Sequence, residues 1–396
     1  MFNIQVEQTA LSKALSFIAP TVGKDSNLGT DCIAVTDDGN FGLELYTTNG
    51  IEFSRTKIVL TLGSGTVERM PFVNFKRFQS IIDSIDKGEY VSIKATVNTI
   101  EINYGTRKKP IKLTASPVGM MLFPVVTSPV EFSIDTGILE KILANANAII
   151  KEDPNNLINN CILISLNGHS IEATAVDGKN NRAYSCYSSN TDLNTGNLLL
   201  EVPKVKRSFR LFSNYNTVTI KSNGNITSIL GTNSAGDETE YCTRQISGTF
   251  PNSISQLFNV NIEYSQISIK ELEKSLTRIN AIEDSTVGSD TLDLTIDGQL
   301  VNIFKASQYG IIEDSFDAEN KISYKIHETF KAKPLLQVIN AVLSNCYYGA
   351  SEYTFAHATI EIGKCVHAGK DYYLIRKSSS ANDVFLMSGY TNTNTP

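Results

Sequence analysis

Apolar residues along this chain recur with two alternating periods. In VEQTALSKALSFI from Val6, IDTGILEKILANA from Ile134 and ISIKELEKSLTRI from Ile267, an extended start gives way to leucines at i and i+4: Leu11 and Leu15, Leu139 and Leu143, Leu272 and Leu276. That spacing puts each pair on one helix face and leaves the intervening Lys13, Lys141 or Lys274 elsewhere. Downstream the period drops to two, in CIAVTDDGNFGLEL, CILISLNGHSIEAT and LDLTIDGQLVNIF, each interrupted by Asp-Gly or Asn-Gly at Gly39, Gly168 and Gly298. This is the strongest short-range signal for a β-hairpin. A further strand then reaches Gly50, Gly178 and Gly310. A strand leading into a second helix recurs as VERMPFVNFKRFQSIIDSI, LLLEVPKVKRSFRLF and ISYKIHETFKAKPLLQVINAVL. Pro71 and Pro203 stand at or just before those helix starts, where a missing N–H costs nothing. Alternating strands such as YVSIKA, TVTIKSN and ATIEIG follow.

Equivalent glycines are offset by 128 to 132 residues, so the chain reads as three copies of one unit containing two helices and about eight strands. The breaks fall near residues 127 and 260, giving domains 1–127, 128–259 and 260–396, the last ending in a short polar tail. The expected class is α+β, with helices at 8–19, 74–86, 136–151, 204–213, 268–281 and 331–345 packed on antiparallel sheets.

A length of 396 residues with 41% hydrophobic content is ample for several cores. The opening MFNIQVEQTALSKAL lacks a basic start followed by an apolar core, and no apolar run approaches the roughly 20 residues that span a bilayer. The expected location is cytoplasmic. Six dispersed cysteines without a C-x-x-C pair read as small buried hydrophobes. There is no G-x-x-x-x-G-K-[ST], H-E-x-x-H or G-x-S-x-G, and Cys365, His367 and His357 fall in an alternating strand pattern. No catalysis, metal or cofactor is therefore expected.

A net charge of -6 argues against a simple basic surface for nucleic acid, but its distribution reverses that inference. The six expected helices hold 14 Lys and Arg against 5 Asp and Glu, a net of +9, which leaves -15 on the rest of the chain. Helix propensity alone would collect Glu as readily as Lys. The surplus points instead to helices that face a polyanion.

At FNIQVEQTALSKAL, IEATAVDGKNNRAYSC and LEVPKVKRSFRLF followed by ISGTFPNS, the chain resembles the bacterial DNA polymerase sliding clamp, the β subunit of the replicative polymerase. The resemblance covers essentially the whole length. It implies three topologically equivalent clamp domains that form half of a six-domain ring, the DNA clamp fold. Two chains would close head to tail as a homodimer around duplex DNA. The function implied is that of a non-catalytic processivity factor, set in place by a clamp loader, which tethers the polymerase catalytic subunit and other replication and repair proteins at the nucleoid. Such a ring must touch phosphates without reading bases, because base contacts would trap it.

The resemblance assigns the DNA-facing role to Lys13, Lys24, Lys76, Arg77, Lys141, Lys151, Lys204, Lys206, Arg207, Arg210, Lys270, Lys274, Arg278, Lys331 and Lys333, with Lys24 matching a basic loop residue of the family. It implies a partner-peptide pocket at Ile158, Val176, Arg182, Ala183, Pro251, Leu257, Phe385, Leu386 and Met387. For the ring seam it implies Ile111 and Leu113 on one side and Ala281 and Ile282 on the other. The chain departs from the family in Val176-Asp177-Gly178-Lys179-Asn180-Asn181-Arg182-Ala183, with two extra residues and no His, and in the tail after Met387. These departures and the Asn-rich sequence suit a clamp carried by a phage or mobile element. They also leave open a clamp-like scaffold or inhibitor that binds replication partners without encircling DNA.

Overall fold

The computed structural model describes residues 2–37, 42–59, 63–64, 72–96, 98–127, 130–178, 182–189, 195–251, 255–282, 291–347, 358–378 and 382–389. The turn at Gly39, Pro71, Lys179 to Asn181, His357 and the polar tail lie outside them.

The element order repeats three times. The first pass is β1 Phe2–Glu7, α1 Gln8–Ile18, β2 Cys32–Asp37, β3 Gly42–Thr48, β4 Glu52–Val59, the short β5 Gly63–Ser64 and β6 Val73–Asn74, α2 Phe75–Asp83, β7 Tyr90–Ala95, β8 Thr99–Tyr104 and β9 Ile111–Thr114. The second is β10 Val130–Asp135, α3 Thr136–Ile149, β11 Cys161–Asn167, β12 Ser170–Asp177, β13 Arg182–Ser189, β14 Thr195–Glu201, α4 Val202–Phe209, β15 Thr217–Ser222, β16 Ile226–Thr232 and β17 Glu238–Arg244. The third is β18 Tyr264–Ser268, α5 Ile269–Asn280, β19 Thr291–Asp297, β20 Leu300–Ser307, β21 Gly310–Asp317, β22 Ile326–Lys331, α6 Ala332–Tyr347, β23 Thr359–His367, β24 Lys370–Lys377 and β25 Asp383–Ser388.

The periodicities account for these elements. In α1 the i, i+4, i+7 stripe Leu11, Leu15 and Ile18 is fully buried, and in α2 Phe75, Phe78 and Ile82 are buried while Lys76 and Arg77 are exposed. Asn74 caps α2, its Oδ1 accepting from the Arg77 N–H at 3.2 Å. The two helices lie side by side: the Gln8 side-chain amide donates to the Ile82 carbonyl at 3.1 Å and the Ser12 hydroxyl to Asp83 at 3.0 Å. Helix α4 starts at Val202, two residues before the expected 204, with Pro203 at its second position, where no donor is needed. The hairpin turns at Gly168 and Gly298 have φ of 90° and 63°, a region open to glycine without a Cβ clash.

Each pass builds two antiparallel arrays around four main strands apiece, and four of the six arrays are joined in pairs. The sheets run β5-β1-β7-β8-β9, then β10-β15-β16-β17-β4-β3-β2-β6, then β14-β11-β12-β13-β25-β24-β23-β18, and finally β21-β20-β19-β22. The chain forms two compact bodies, one made of residues 1–139 with 204–245 and the other of 140–203 with 246–396, each containing one eight-stranded sheet. In the first body, β1, β2, β3, β7 and β8 enclose an apolar core with α1 and α2, including Ile4, Val35, Leu45, Ile93 and Ile102.

The joining strands occupy equivalent places in the repeat. In the first body β4, the third strand after its helix, pairs with β17, the last strand of the next pass, with Tyr241 opposite Ser54. In the second body β13, again the third strand after its helix, pairs with β25, again a last strand, with Tyr184 opposite Phe385. Among the described residues the remaining members of the two classes, β21 and β9, are each hydrogen-bonded on one side only and form sheet edges.

Candidate nucleic-acid interface and partner surfaces

In the folded chain the six helices carry eleven Lys and Arg against four Asp and Glu. The surplus over carboxylates persists within the observed helix limits. Amphipathic folding exposes most of the basic set, because the alternate helix face is committed to the core. Lys13, Lys24, Lys76, Arg77, Lys151, Lys206, Arg207, Arg210, Lys270, Lys274, Arg278, Lys331 and Lys333 are exposed, while Lys141 and Lys204 are half-buried.

Their surroundings differ. Lys24 projects from a loop, and Lys13 lies 6.0 Å from the Phe17 ring on its own helix. In α4, Val205, Ser208 and Phe209 are buried, so Lys206, Arg207 and the following Arg210 face solvent; their place at the last turn also suits the helix dipole. In the second body, Lys141 is ion-paired with Asp383, Lys274 Nζ lies 2.7 Å from Glu271, and Arg278 Nη1 lies 2.6 Å from Asp314. The hydroxyl of Ser275 donates to Asp314, and with Arg278 it holds that carboxyl below the usual aspartate range.

Around the expected peptide pocket, strand alternation sorts the residues onto two faces. Val176, Ala183, Leu257 and Leu386 join Cys365, Tyr372, Leu374 and Val384 in one apolar cluster of the second body. Phe385 and Met387 alternate to the opposite face, where the Phe385 ring lies 4.9 Å from Tyr184. Arg182 also turns to that face, donating to Asp177 at 2.9 Å and to the Ala148 carbonyl at 3.4 Å. Ile158 is half-buried against Gly248, where any Cβ would lie 2.7 Å from its Cδ1, and Pro251 is half-buried.

Since Val176, Ala183 and Leu386 are each no more than 2% exposed, they form the floor of the apolar cluster on the face opposite Phe385. Its accessible wall is made by half-buried Phe250, Phe258, Val260, Ile262 and Tyr264. Apart from Phe250, these fall in a stretch whose only sequence signal is apolar residues before a strand, with no spacing to tie them to β12 and β13.

At the edge of the first body, Ile111 and Leu113 are half-buried on β9 and pack against the core. Lys112 between them pairs with Glu101 at 2.6 Å and draws that carboxyl below its ordinary range. Ala281 is exposed at the end of α5 and Ile282 half-buried beside it. The edge strand β21 carries Ile311, 70% exposed, together with Glu313, Asp314 and Asp317. Among the described residues no three His, Cys, Asp or Glu side chains gather as a metal site, and no helix is long and apolar enough to cross a membrane.

No protein-family model and no curated protein matches the sequence. Solved structures do. The DNA polymerase III subunit beta of Pseudomonas aeruginosa superposes with a TM-score of 0.79 at 13% identity, over 98% of this chain and 100% of that one. A putative DNA polymerase III beta subunit from Eubacterium rectale gives 0.80 at 16%, covering all of both chains. The DNA polymerase sliding clamp of Bacillus subtilis gives 0.79 at 14%, over 99% of each. With twofold pairing of repeat-equivalent strands, a threefold element order and full-length superposition, this α+β chain has the fold of the bacterial DNA polymerase sliding clamps.

Proposed function

We propose that the chain is a DNA sliding clamp: a non-catalytic processivity factor that encircles duplex DNA and tethers a DNA polymerase catalytic subunit and other replication proteins. In this reading its domains are 1–127, 128–259 and 260–396, two chains close head to tail into a six-domain ring, and a clamp loader opens that ring on DNA at the nucleoid.

The observation that carries the reading is the unfinished strand pairing. Two junctions of the type third strand to last strand are made within the chain, β4 with β17 and β13 with β25, and one remains to be made, β21 with β9. A second copy supplies it in both directions, which closes the assembly and covers the edges at β9 and β21. The chemistry of the edges agrees. Arg107, Lys108 and Lys109 flank β9, whereas Glu313 and Asp317 lie on β21, so like edges repel and unlike edges attract. The basic surplus on the helices supports the passage of DNA, and the superposing structures are themselves sliding clamps and polymerase beta subunits by name.

The test has two arms. The wild-type chain should sediment as a dimer and, once loaded, stay on nicked circular DNA while running off the same DNA made linear. Ile111→Asp with Leu113→Asp should give folded monomers that are not retained. A wild-type chain that is monomeric at micromolar concentration, or that leaves circles and linear DNA equally fast, rules the reading out.

A further inference from the structure

Resting on the clamp reading, we propose that the chain grips phosphate unevenly: Lys76 and Arg77 of α2, with Lys206, Arg207 and Arg210 in and just after α4, present their full charge to it. Lys141 of α3 and Lys274 and Arg278 of α5 are instead paired with the chain's own carboxylates. A simple count of helix lysines and arginines hides this difference.

Local charge balance separates the two sets. Among the described residues none of those five side chains is held in an ion pair, and all five are exposed. The only acidic residue on α2 is Asp83, at the far end from Lys76 and Arg77, where it accepts the Ser12 hydroxyl; α4 has no acidic residue. On α5, by contrast, three basic residues are accompanied by Glu271 and Glu273, and Asp314 of β21 reaches across to Arg278. On α3 the single Lys141 faces Asp383 of β25 and follows Glu140.

A cation with a carboxylate about 3 Å away presents a dipole to a phosphate, and that field is lost within the Debye length of about 10 Å at 0.1 M salt. An unpaired cation presents its full charge and releases a counterion when it meets the backbone. Exposed pairs such as Lys274 with Glu271 contribute little to stability, so their consequence is electrostatic: they lower the charge offered to DNA.

This predicts unequal effects from equal numbers of mutations. The full-length protein is titrated with a short labelled duplex over a range of salt concentrations, and the slope of log affinity against log salt is measured. Lys206→Gln with Arg207→Gln should reduce the slope by about 1.8, at about 0.9 for each phosphate no longer neutralised, and shorten retention on circular DNA. Lys274→Gln with Arg278→Gln should leave the slope close to wild type, because in this reading neither cation neutralises a phosphate. The four residues are exposed, so folding should survive; a thermal scan checks it, and Lys76→Gln with Arg77→Gln repeats the first arm independently. Equal decreases from the α4 and α5 pairs, or a larger decrease from α5, overturn the asymmetry. A wild-type chain with no salt-dependent duplex binding would instead overturn the clamp reading itself, and the wild-type titration reveals that before any variant is compared.

Discussion

The two joining strand pairs have the same topology and different chemistry. In the first body the β4/β17 junction is held within the sheet. Arg55 is ion-paired with Glu240 across the two strands and reaches Glu44 at 3.4 Å, and its guanidinium lies 4.7 Å from the Phe123 ring centre. Beside it the Tyr241 hydroxyl donates to Glu52 at 2.6 Å. In the second body the β13/β25 junction recruits a helix. The Tyr184 hydroxyl donates to Asp383 at 2.8 Å, Asn145 of α3 donates to Tyr184 at 3.2 Å, and Lys141 of α3 pairs with the same Asp383. The backbone ladder is common to both, while side chains close each junction by separate routes. One of those routes diverts a helix lysine from solvent to the fold.

The comparison breaks most visibly at Tyr184. Its side chain is fully buried and packed at a tilt against Phe385, and burial beside Asp383 keeps its hydroxyl protonated far above the ordinary tyrosine range. Tyr184→Ala should cost about 3–5 kcal/mol through the cavity and the stranded Asp383. In a urea titration followed by hydrogen exchange, the amides of β12, β13 and β25 should lose protection first, with those of β3 and β4 unchanged. Uniform loss in both bodies would mean that the junctions are not separately held.

Next in size is Arg55. Truncation to Ala leaves Glu240, 9% exposed, facing Glu44 without its cation, at a cost of about 2–3 kcal/mol. Here the protection that falls should be that of β4 and β17. Arg55→Lys should recover only part of it, since an ammonium cannot span both carboxylates as a planar fork does. Full recovery by Lys would reduce the junction to a single point charge.

How far these features could be read in the sequence follows from their range. The threefold order, the helices and the hairpins are encoded locally, by leucines at i and i+4 and by Asn-Gly or Asp-Gly turns, and all six helices lie within a few residues of their expected limits. The surplus of helix charge was legible for the same reason. Its cancellation was not, because Asp383 and Asp314 lie 242 and 36 residues from the cations that they meet, and nothing local links them. Strand parity hid the split of the pocket set: Leu386 and Phe385 are neighbours in sequence, and a strand sends neighbours to opposite faces.

A smaller effect concerns the cysteines. Burial pushes the Cys32 thiol up to about 11 and the Cys186 thiol up to about 12, and raises Cys242 and Cys365 as well. At pH 8 the thiolate fraction of Cys32 is then on the order of 0.1%, so a disulfide reagent should label these four only as fast as the chain opens. Since the raised values favour the protonated fold, stability is full below the ordinary thiol value near 9.0 and falls as pH rises above it. The order of labelling compares the two junctions directly, because Cys242 lies on β17 and Cys186 on β13. The Tyr184→Ala variant should expose Cys186 first.

The smallest effect tests whether the paired cations of the second body can be released. Asp314 is held below the ordinary aspartate value near 3.8 by the Ser275 hydroxyl and by Arg278. A depressed carboxylate contributes stability above its unfolded value, and that contribution is lost as pH falls through the folded one. Asp314→Asn should therefore flatten the stability profile below about pH 4 while changing neutral stability by less than about 1 kcal/mol, the range of exposed ion pairs. The same change removes the charge facing Arg278, 58% exposed at its side chain, and should raise the salt slope of duplex binding by about 0.9, the value of one further neutralised phosphate. A flattened acid profile with no gain in slope would place Arg278 out of reach of DNA. A gain in slope would show that Asp314 is what keeps that cation from the phosphates.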